Sequence, residues 1–292
     1  MSSMRIALAL GGGGVKGLAH IGVIRALEKI NICIEAIAGA SMGAIVGVLY
    51  SLGYSIDEIE QIFQRLQKSG YLGHNRKVEP SFLGNRGLEE SLRKVVGNCT
   101  FNDLKIPMII TATEIKHGRE VFLRDGPLVD ALLASSALPG IFPARRIGDM
   151  DLTDAGTINP VPVEAARSLV DVHTPVVAVV LTPPLGVPAT MDPVAVPGHV
   201  PRWITERIKQ IRFVRAVEVF FLSQDLLNRA ITRHNLNLSK PDLIIAPEVA
   251  HLHSFERVYV TEIALKGDQA VRGSLPELLK LFPETLRTES SL

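Results

Sequence analysis

The stretch "IEAIAGASMGAIVG" at residues 34–47 joins an apolar run to a segment with helical spacing through a single serine. Gly39 and Gly43 flank Ser41 at equal distances. A serine that projects above a sheet needs a tight, strained turn between strand and helix, and glycine on either side relieves backbone crowding. The pattern therefore predicts a nucleophile elbow. The alternative interpretation is that small residues only let a buried helix pack close to a strand.

Strands and helices alternate on both sides of this turn. A strand, a helix and a strand in succession imply a right-handed parallel crossover. The alternation predicts an α/β fold with a mostly parallel central sheet. Strands are predicted at residues 5–10, 33–38, 107–115, 120–126, 175–181 and 242–247, and helices at 17–30, 42–53, from 55, 128–138, from 162 and 203–231.

Length and composition favour one domain that buries a full core, because 47% of the 292 residues are hydrophobic. We expect a single α/β domain over residues 1–292, with a motif-bearing core at about 5–181, a proline-rich loop at 183–201 and a C-terminal helical part at 203–287. The net charge of +1 provides no broad field for nucleic acid, so no nucleic-acid partner is expected.

The cellular compartment is indicated by two further features of the chain. The two cysteines lack CxxC spacing, which favours a reduced, cytoplasmic compartment. The N-terminal apolar run is too short for a membrane span and has no small-residue cleavage site, so it is interpreted as the first strand.

A glycine-rich segment, "GGGGVKG" at residues 11–17, directly follows the first predicted strand. Its backbone amides can converge on an anion, and we expect the N–H groups of Gly12, Gly13 and Gly14 to form an oxyanion hole for Ser41. The competing interpretation is a nucleotide-binding loop, because Gly12-x-Gly14-x-x-Gly17 satisfies the dinucleotide pattern. Glu35 is near the spacing of the required acidic residue, but it falls inside the second strand.

The general base must also be found. The histidines that follow the serine lie at scattered, mostly polar positions, whereas Asp154 stands in a sharp turn, "DAG", just before a helix that begins near a proline. The alternative for Asp154 is a simple turn residue. Asp149 and Asp151 are nearby substitutes.

Together these motifs resemble the patatin-like phospholipase family. The resemblance rests on the glycine-rich block at residues 12–17, the elbow at 39–43, the Asp154 turn, and "ASSALPGIFP" at 134–143. It spans about residues 5–178. A weaker similarity at residues 241–271 points to the bacterial neuropathy-target-esterase-like branch of the family.

The resemblance implies a three-layer α/β/α fold and a catalytic dyad in which Ser41 attacks an acyl ester and Asp154 acts as the base. It also implies hydrolysis of a phospholipid or other acyl ester without a metal or cofactor. Because an ordinary aspartate is a weak base, we expect Asp154 to be partly desolvated and joined to Ser41 by a short hydrogen bond. Ala155 stands where the family usually has glycine.

Two other functions stay open beside this one. A catalytic triad would add a histidine to Ser41 and Asp154, and a lipid-binding or regulatory relative of low activity would have its turnover weakened by Ala155.

The segment from residue 183 to residue 222 is interpreted in two ways. Its aromatic residues either belong to the core or line and cover an acyl tunnel that contacts a bilayer. The basic residues of the same region suit anionic head groups, which predicts peripheral membrane contact. The aromatic and apolar residues are Trp203, Phe213, Phe220, Phe221 and Leu222, and the basic residues are Arg202, Arg207, Lys209, Arg212 and Arg215.

Overall fold

The computed structural model describes residues 4–68, 86–188, 212–252 and 258–283. Most of the proline-rich loop, Trp203 and the start of the helix predicted from that residue lie outside the described residues. Of the basic residues predicted to meet anionic head groups, Arg202, Arg207 and Lys209 also lie outside them, whereas Arg212 and Arg215 fall in a described helix. Among the described helices, none has the length and apolar character needed to cross a membrane.

Within the described residues, the strands form one eight-stranded sheet in the order β5-β6-β3-β2-β1-β7-β8, with β4 paired to β3. The pairs β1/β2, β1/β7, β2/β3 and β7/β8 are parallel. The predicted mostly parallel sheet is therefore confirmed. The strands are β1 (Arg5–Leu10), β2 (Cys33–Gly39), β3 (Met108–Glu114), β4 (Arg119–Leu123), β5 (Arg145–Ile147), β6 (Met150–Thr153), β7 (Val176–Val179) and β8 (Leu243–Ile245).

Helices cover both faces of the sheet. Along β1, alternate side chains enter two separate cores: Leu8 packs in the larger one and Ala9 in the smaller one. Helices α1, α2 and α8 pack in the larger core, and α6 packs in the smaller one. The three-layer α/β/α architecture is thus confirmed. The helices are α1 (Ala19–Lys29), α2 (Met42–Ser51), α3 (Ile56–Lys68), α4 (Arg86–Val96), α5 (Leu128–Ser135), α6 (Val163–Arg167), α7 (Arg212–Ser239), α8 (Val260–Gly273) and α9 (Leu275–Lys280).

The arrangement around β3 positions the candidate site. Strand β4 pairs with β3 from Ile110 to Glu114, β2 pairs with it up to Ile110, and β6 pairs with it at Thr113 and Glu114. A strand has only two hydrogen-bonding edges, so β2 and β6 must share the edge opposite β4. Because β2 runs parallel to β3 and β6 runs antiparallel, their C-terminal ends approach each other along that edge.

Helices α1 and α8 are in backbone contact within the larger core. A Cβ atom on Gly22 would lie 1.7 Å from the Ala264 carbonyl oxygen, and one on Gly267 would lie 1.9 Å from the Ala19 carbonyl oxygen. Only glycine at both positions permits this approach. The C-terminal part of the chain is therefore docked on the first helix by a glycine from each side.

Candidate active site

The turn predicted as a nucleophile elbow has a strained backbone at its central serine. Ser41 adopts φ 51° and ψ −121° between β2 and α2, a strained conformation that costs about 1–3 kcal/mol for a residue other than glycine. A Cβ atom on Gly39 would lie 2.5 Å from the Ala44 α-carbon, and one on Gly43 would lie 2.3 Å from the Leu10 carbonyl oxygen. Both glycines are needed because the helix turns back directly over the strand ends.

Asp154 follows β6 and is buried, with 6% of its surface exposed. Its Oδ1 accepts the Gly156 N–H at 2.7 Å, and the Ser41 side chain lies close enough to the carboxylate to act on its pKa. Burial raises the pKa of Asp154 to about 6, although the contacts with Gly156 and Ser41 act in the opposite direction. The desolvation expected from the sequence is confirmed. A carboxylate with this pKa is a much better base near neutral pH than an ordinary aspartate.

Ala155 fits the turn after Asp154. It is buried and does not adopt a positive φ, so its methyl group is compatible with the backbone. The next residue is different, because a Cβ atom on Gly156 would lie 2.8 Å from Asp154 Oδ1. The departure from the family pattern therefore falls on the position where a side chain is tolerated.

The glycine-rich loop lies directly beside Ser41. A Cβ atom on Gly12 would contact the Ser41 Cβ at 3.4 Å. The Gly12 N–H, however, donates to the Pro160 carbonyl oxygen at 3.0 Å. No hydrogen bond joins the N–H of Gly13 or Gly14 to another residue of the described chain. Of the three amides predicted for an oxyanion hole, Gly13 and Gly14 thus remain available for an anion, whereas Gly12 anchors the loop.

His20 supports the same loop, and the sequence pattern does not reveal this role. It is completely buried in α1, and its Nε2 lies 2.8 Å from the Gly11 carbonyl oxygen. Burial lowers the pKa of His20 to about 4, so the ring is neutral at physiological pH and Nε2 carries the donated proton. The available signal is its position, because it is the first polar side chain after the glycine-rich segment on an otherwise apolar helix face.

The substitute bases predicted from the sequence have other partners. Asp149 forms an ion pair with Arg146 at 3.9 Å, and Asp151 forms one with Lys116 at 2.8 Å. No histidine among the described residues hydrogen-bonds to Ser41 or Asp154. The described geometry therefore favours a pair of residues over a triad.

Glu35, the acidic residue that the dinucleotide interpretation requires, lies far from the glycine-rich loop. Glu35 lies at an irregularity near the start of β2, where its Oε2 accepts a hydrogen bond from Thr174 Oγ1 at 3.5 Å. The strand rises about 3.3 Å per residue, so Glu35 is about 13 Å from the end of β2 where the glycine-rich loop lies. It cannot reach a ribose held at that loop.

Comparison with known proteins agrees with these observations. The model of the family described as patatin-like phospholipase matches residues 8–167. An NTE family protein of Mycobacterium tuberculosis is 37% identical over 166 residues, which cover 55% of this chain and 45% of that protein. Lysophospholipase NTE1 of Cryptococcus neoformans is 30% identical over 174 residues, which cover 57% of this chain and 11% of that protein.

The chain spans less than half the length of these curated relatives. Among solved structures, VipD from Legionella pneumophila superposes with a TM-score of 0.49 and 13% identity, over 95% of this chain and 67% of that chain. The family model covers more than half of the sequence, and its match includes the elbow, the glycine-rich loop and the Asp154 turn. The chain belongs to the patatin-like phospholipase family.

Proposed function

We propose that this chain is a serine lipid acyl hydrolase of the phospholipase, lysophospholipase or carboxylesterase type. The observation that carries the proposal is a buried Asp154 whose pKa is raised to about 6 and whose carboxylate lies within reach of the Ser41 side chain. A nucleophile with an adjacent base, beside backbone amides that can receive negative charge, is the arrangement required for acyl transfer.

In the acylation step, Ser41 Oγ attacks the ester carbonyl carbon while its proton passes to the Asp154 carboxylate. The carbonyl oxygen becomes an oxyanion that the Gly13 and Gly14 amides stabilise, aided by the N-terminus of α2. When the tetrahedral intermediate collapses, the C–O bond to the alcohol breaks and Asp154 returns the proton to the leaving oxygen. Acyl-Ser41 and a free alcohol are the products.

In the deacylation step, the regenerated Asp154 carboxylate takes a proton from water as the water oxygen attacks the acyl carbon. The second tetrahedral intermediate collapses with transfer of that proton to Ser41 Oγ. A carboxylic acid leaves, and the free serine is restored. No metal or cofactor takes part in either step of this proposal.

The substrate class is proposed from the family and from a relative named lysophospholipase. The test is labelling by a fluorophosphonate, which reacts only with an activated serine, followed by assays with p-nitrophenyl esters of increasing chain length. We expect labelling and turnover in the wild type and neither in Ser41→Ala. An unlabelled wild type, or a Ser41→Ala variant that keeps its esterase activity, would refute the proposal.

Peripheral membrane contact is a second part of the proposal, and helix α7 supports it. This helix buries polar side chains against the body, including Arg229 and Thr232, and Asn235 Nδ2 donates to the Ile158 carbonyl oxygen at 2.9 Å. Its outer side instead exposes apolar residues. This apolar stripe consists of Val219, Phe220, Leu226, Leu227 and Leu238, which are 45–69% exposed.

Contact between this stripe and a lipid surface would involve the candidate site, because the buried side of the same helix adjoins the Asp154 turn. Asn228 Nδ2 would lie 3.2 Å from a Cβ atom on Gly156. A helix inserted by its apolar side would therefore hold the candidate site next to the lipid that it hydrolyses.

Flotation with vesicles of phosphatidylcholine and phosphatidylglycerol tests the membrane contact. We expect Leu226→Glu and Leu227→Glu each to weaken binding about ten-fold, because a leucine would no longer enter the acyl region. The control is Val172→Glu, which alters another apolar residue that is 88% exposed. Equal flotation of all three variants and the wild type would remove this part of the proposal.

A further inference from the structure

The segment "ASSALPGIFP" at residues 134–143 takes no part in the chemistry proposed above, yet it contacts both halves of the candidate site. The Ser41 N–H donates to Ser135 Oγ at 2.8 Å. The Asp154 N–H donates to the Ala137 carbonyl oxygen at 3.0 Å. We call these two contacts, made by the Ser135 hydroxyl and the Ala137 carbonyl, the dyad bridge.

The Ser41 end of the bridge compensates for the geometry of the elbow. Pairing of β2 with its neighbours ends at Gly39, and α2 begins at Met42. The Ser41 N–H therefore belongs to neither element and needs a side-chain acceptor. Ser135 is completely buried, so water cannot easily replace it.

At the Asp154 end of the bridge, two hydrogen bonds converge on the Ala137 carbonyl oxygen. The Ala137 carbonyl oxygen also accepts Thr153 Oγ1 at 2.6 Å. Consecutive residues at the end of β6 thus donate to one oxygen, one through a side chain and one through the backbone. This fixes the position at which the chain leaves the sheet and turns into the Asp154 loop.

We propose that Ser135 is a positioning residue for Ser41, and that the dyad bridge sets the separation between the Ser41 hydroxyl and the Asp154 carboxylate. Ser135 and Ala137 are two residues apart at the end of α5, so a shift of Ser41 away from Ser135 changes its position relative to Asp154 directly. This inference rests on the function proposed above and deepens it.

The chain offers a matched control for each contact. Ser136 is adjacent to Ser135, and its buried Oγ has no hydrogen-bond partner among the described residues. Thr113 is the cross-strand partner of Thr153, and its buried Oγ1 likewise has no partner in the described part of the chain. Removing these two hydroxyl groups alters buried polarity without touching the bridge.

The experiment compares Ser135→Ala with Ser136→Ala and Thr153→Val with Thr113→Val, with steady-state kinetics on a short, soluble p-nitrophenyl ester across pH. We expect Ser135→Ala to lower kcat about 10–100-fold with KM nearly unchanged, because the reacting groups are misplaced but the acyl site is intact. Thr153→Val should lower kcat less. Ser136→Ala and Thr113→Val should match the wild type.

The pH profile separates positioning from a general loss of folded protein. The Ser41 side chain lowers the pKa of Asp154, so moving Ser41 away should shift the acidic limb of kcat/KM in Ser135→Ala to higher pH. Ser135→Cys, which keeps a weak acceptor of similar size, should lie between Ser135→Ala and the wild type. Circular dichroism and thermal unfolding establish that each variant is folded.

Kinetics and pH profiles of Ser135→Ala that coincide with those of Ser136→Ala would overturn the inference. If Ser135→Ala does not fold, the inference is tested by Ser135→Cys and by the comparison of Thr153→Val with Thr113→Val. The same kinetic and pH criteria apply. Failure of the proposed function would look different, because the wild type itself would not be labelled by the fluorophosphonate.

Discussion

The Ser41 side chain lies close enough to the buried carboxylate of Asp154 to lower its pKa, and the two residues meet because β2 and β6 end towards each other on one edge of β3. The proposed nucleophile and its proposed base therefore come from strands of opposite direction. Burial at this junction also removes water from the carboxylate, which is the main cause of its raised pKa. The same geometry brings the groups together and makes the aspartate basic enough to act.

The first prediction concerns the pH dependence of activity. Asp154 must be ionised to accept the serine proton, and its pKa is raised to about 6. We expect kcat/KM to be low in acid, to rise about tenfold per pH unit up to pH 6 and to level off above it. Stopped-flow or steady-state assays with an uncharged ester substrate measure this directly.

A histidine that titrates would produce a similar rise of kcat/KM with pH, and His20 serves as the control for this possibility. Its pKa is lowered to about 4, so it stays neutral throughout the rise in activity. His20→Gln keeps an N–H donor for the Gly11 carbonyl without a titrating ring and should retain the limb near pH 6. A limb that disappears in this variant would contradict the assignment to Asp154.

The second prediction concerns stability. Because the pKa of Asp154 is raised from 3.8 to about 6 by folding, its contribution to stability is fully present below pH 4 and is lost as the pH rises through 6. Asp154→Asn removes the buried charge, so we expect it to exceed the wild type in unfolding free energy by up to about 3 kcal/mol at pH 8. At pH 4 the two proteins should be nearly equal.

Urea unfolding at the two pH values measures this difference. The variant should be inactive at both. A stability difference of the same size at pH 4 and pH 8 would mean that ionisation of Asp154 is not its cause.

The third prediction concerns the turn after Asp154. Gly156→Ala places a methyl group where a Cβ atom would lie 2.8 Å from Asp154 Oδ1 and 3.2 Å from Asn228 Nδ2. The carboxylate must then move, and we expect kcat to fall about 10–100-fold.

Ala155→Gly is the matched control for this substitution, because the Ala155 methyl group is already accommodated. We expect it to leave kcat close to that of the wild type and to lower the unfolding free energy by about 0.5–1 kcal/mol. A large gain of activity in Ala155→Gly would instead favour the interpretation of this chain as a relative weakened by its alanine.

The fourth prediction concerns docking of the C-terminal helix. Gly267→Ala would place a Cβ atom 1.9 Å from the Ala19 carbonyl oxygen and force α8 away from α1. Such overpacking costs typically about 1–3 kcal/mol of unfolding free energy. Gly273, in the same helix, has nothing within 4 Å of its Cβ position, so Gly273→Ala should be neutral or slightly stabilising. Chemical denaturation compares the two, and equal stabilities would contradict the close contact.

The elements that a pattern reveals are those with continuous apolar runs or clear helical spacing. Strands β1, β2, β3 and β7 and helices α1, α2 and α5 lie where the sequence predicts them. The β5–β6 hairpin is not predicted, because its strands are short, polar and only partly buried. The helix predicted to end at Ile231 extends to Ser239. Its last turns lack an apolar pattern that the sequence could reveal, and they are held by polar contacts such as the hydrogen bond from Asn235 to the Ile158 carbonyl oxygen.

Local chemistry determined the elbow, the glycine-rich loop and the Asp154 turn, because each depends on residues within a few positions of one another, so the sequence alone identifies them. The tertiary structure decided which of these groups touch and how they ionise. Four contacts join distant parts of the chain: Gly12 with Pro160, His20 with Gly11, Ser135 with Ser41, and Ala137 with Asp154. Such contacts, and the desolvation that raises the pKa of Asp154, arise only when β2, β6 and α5 pack together, because a hydrogen bond and a dielectric environment belong to the folded arrangement.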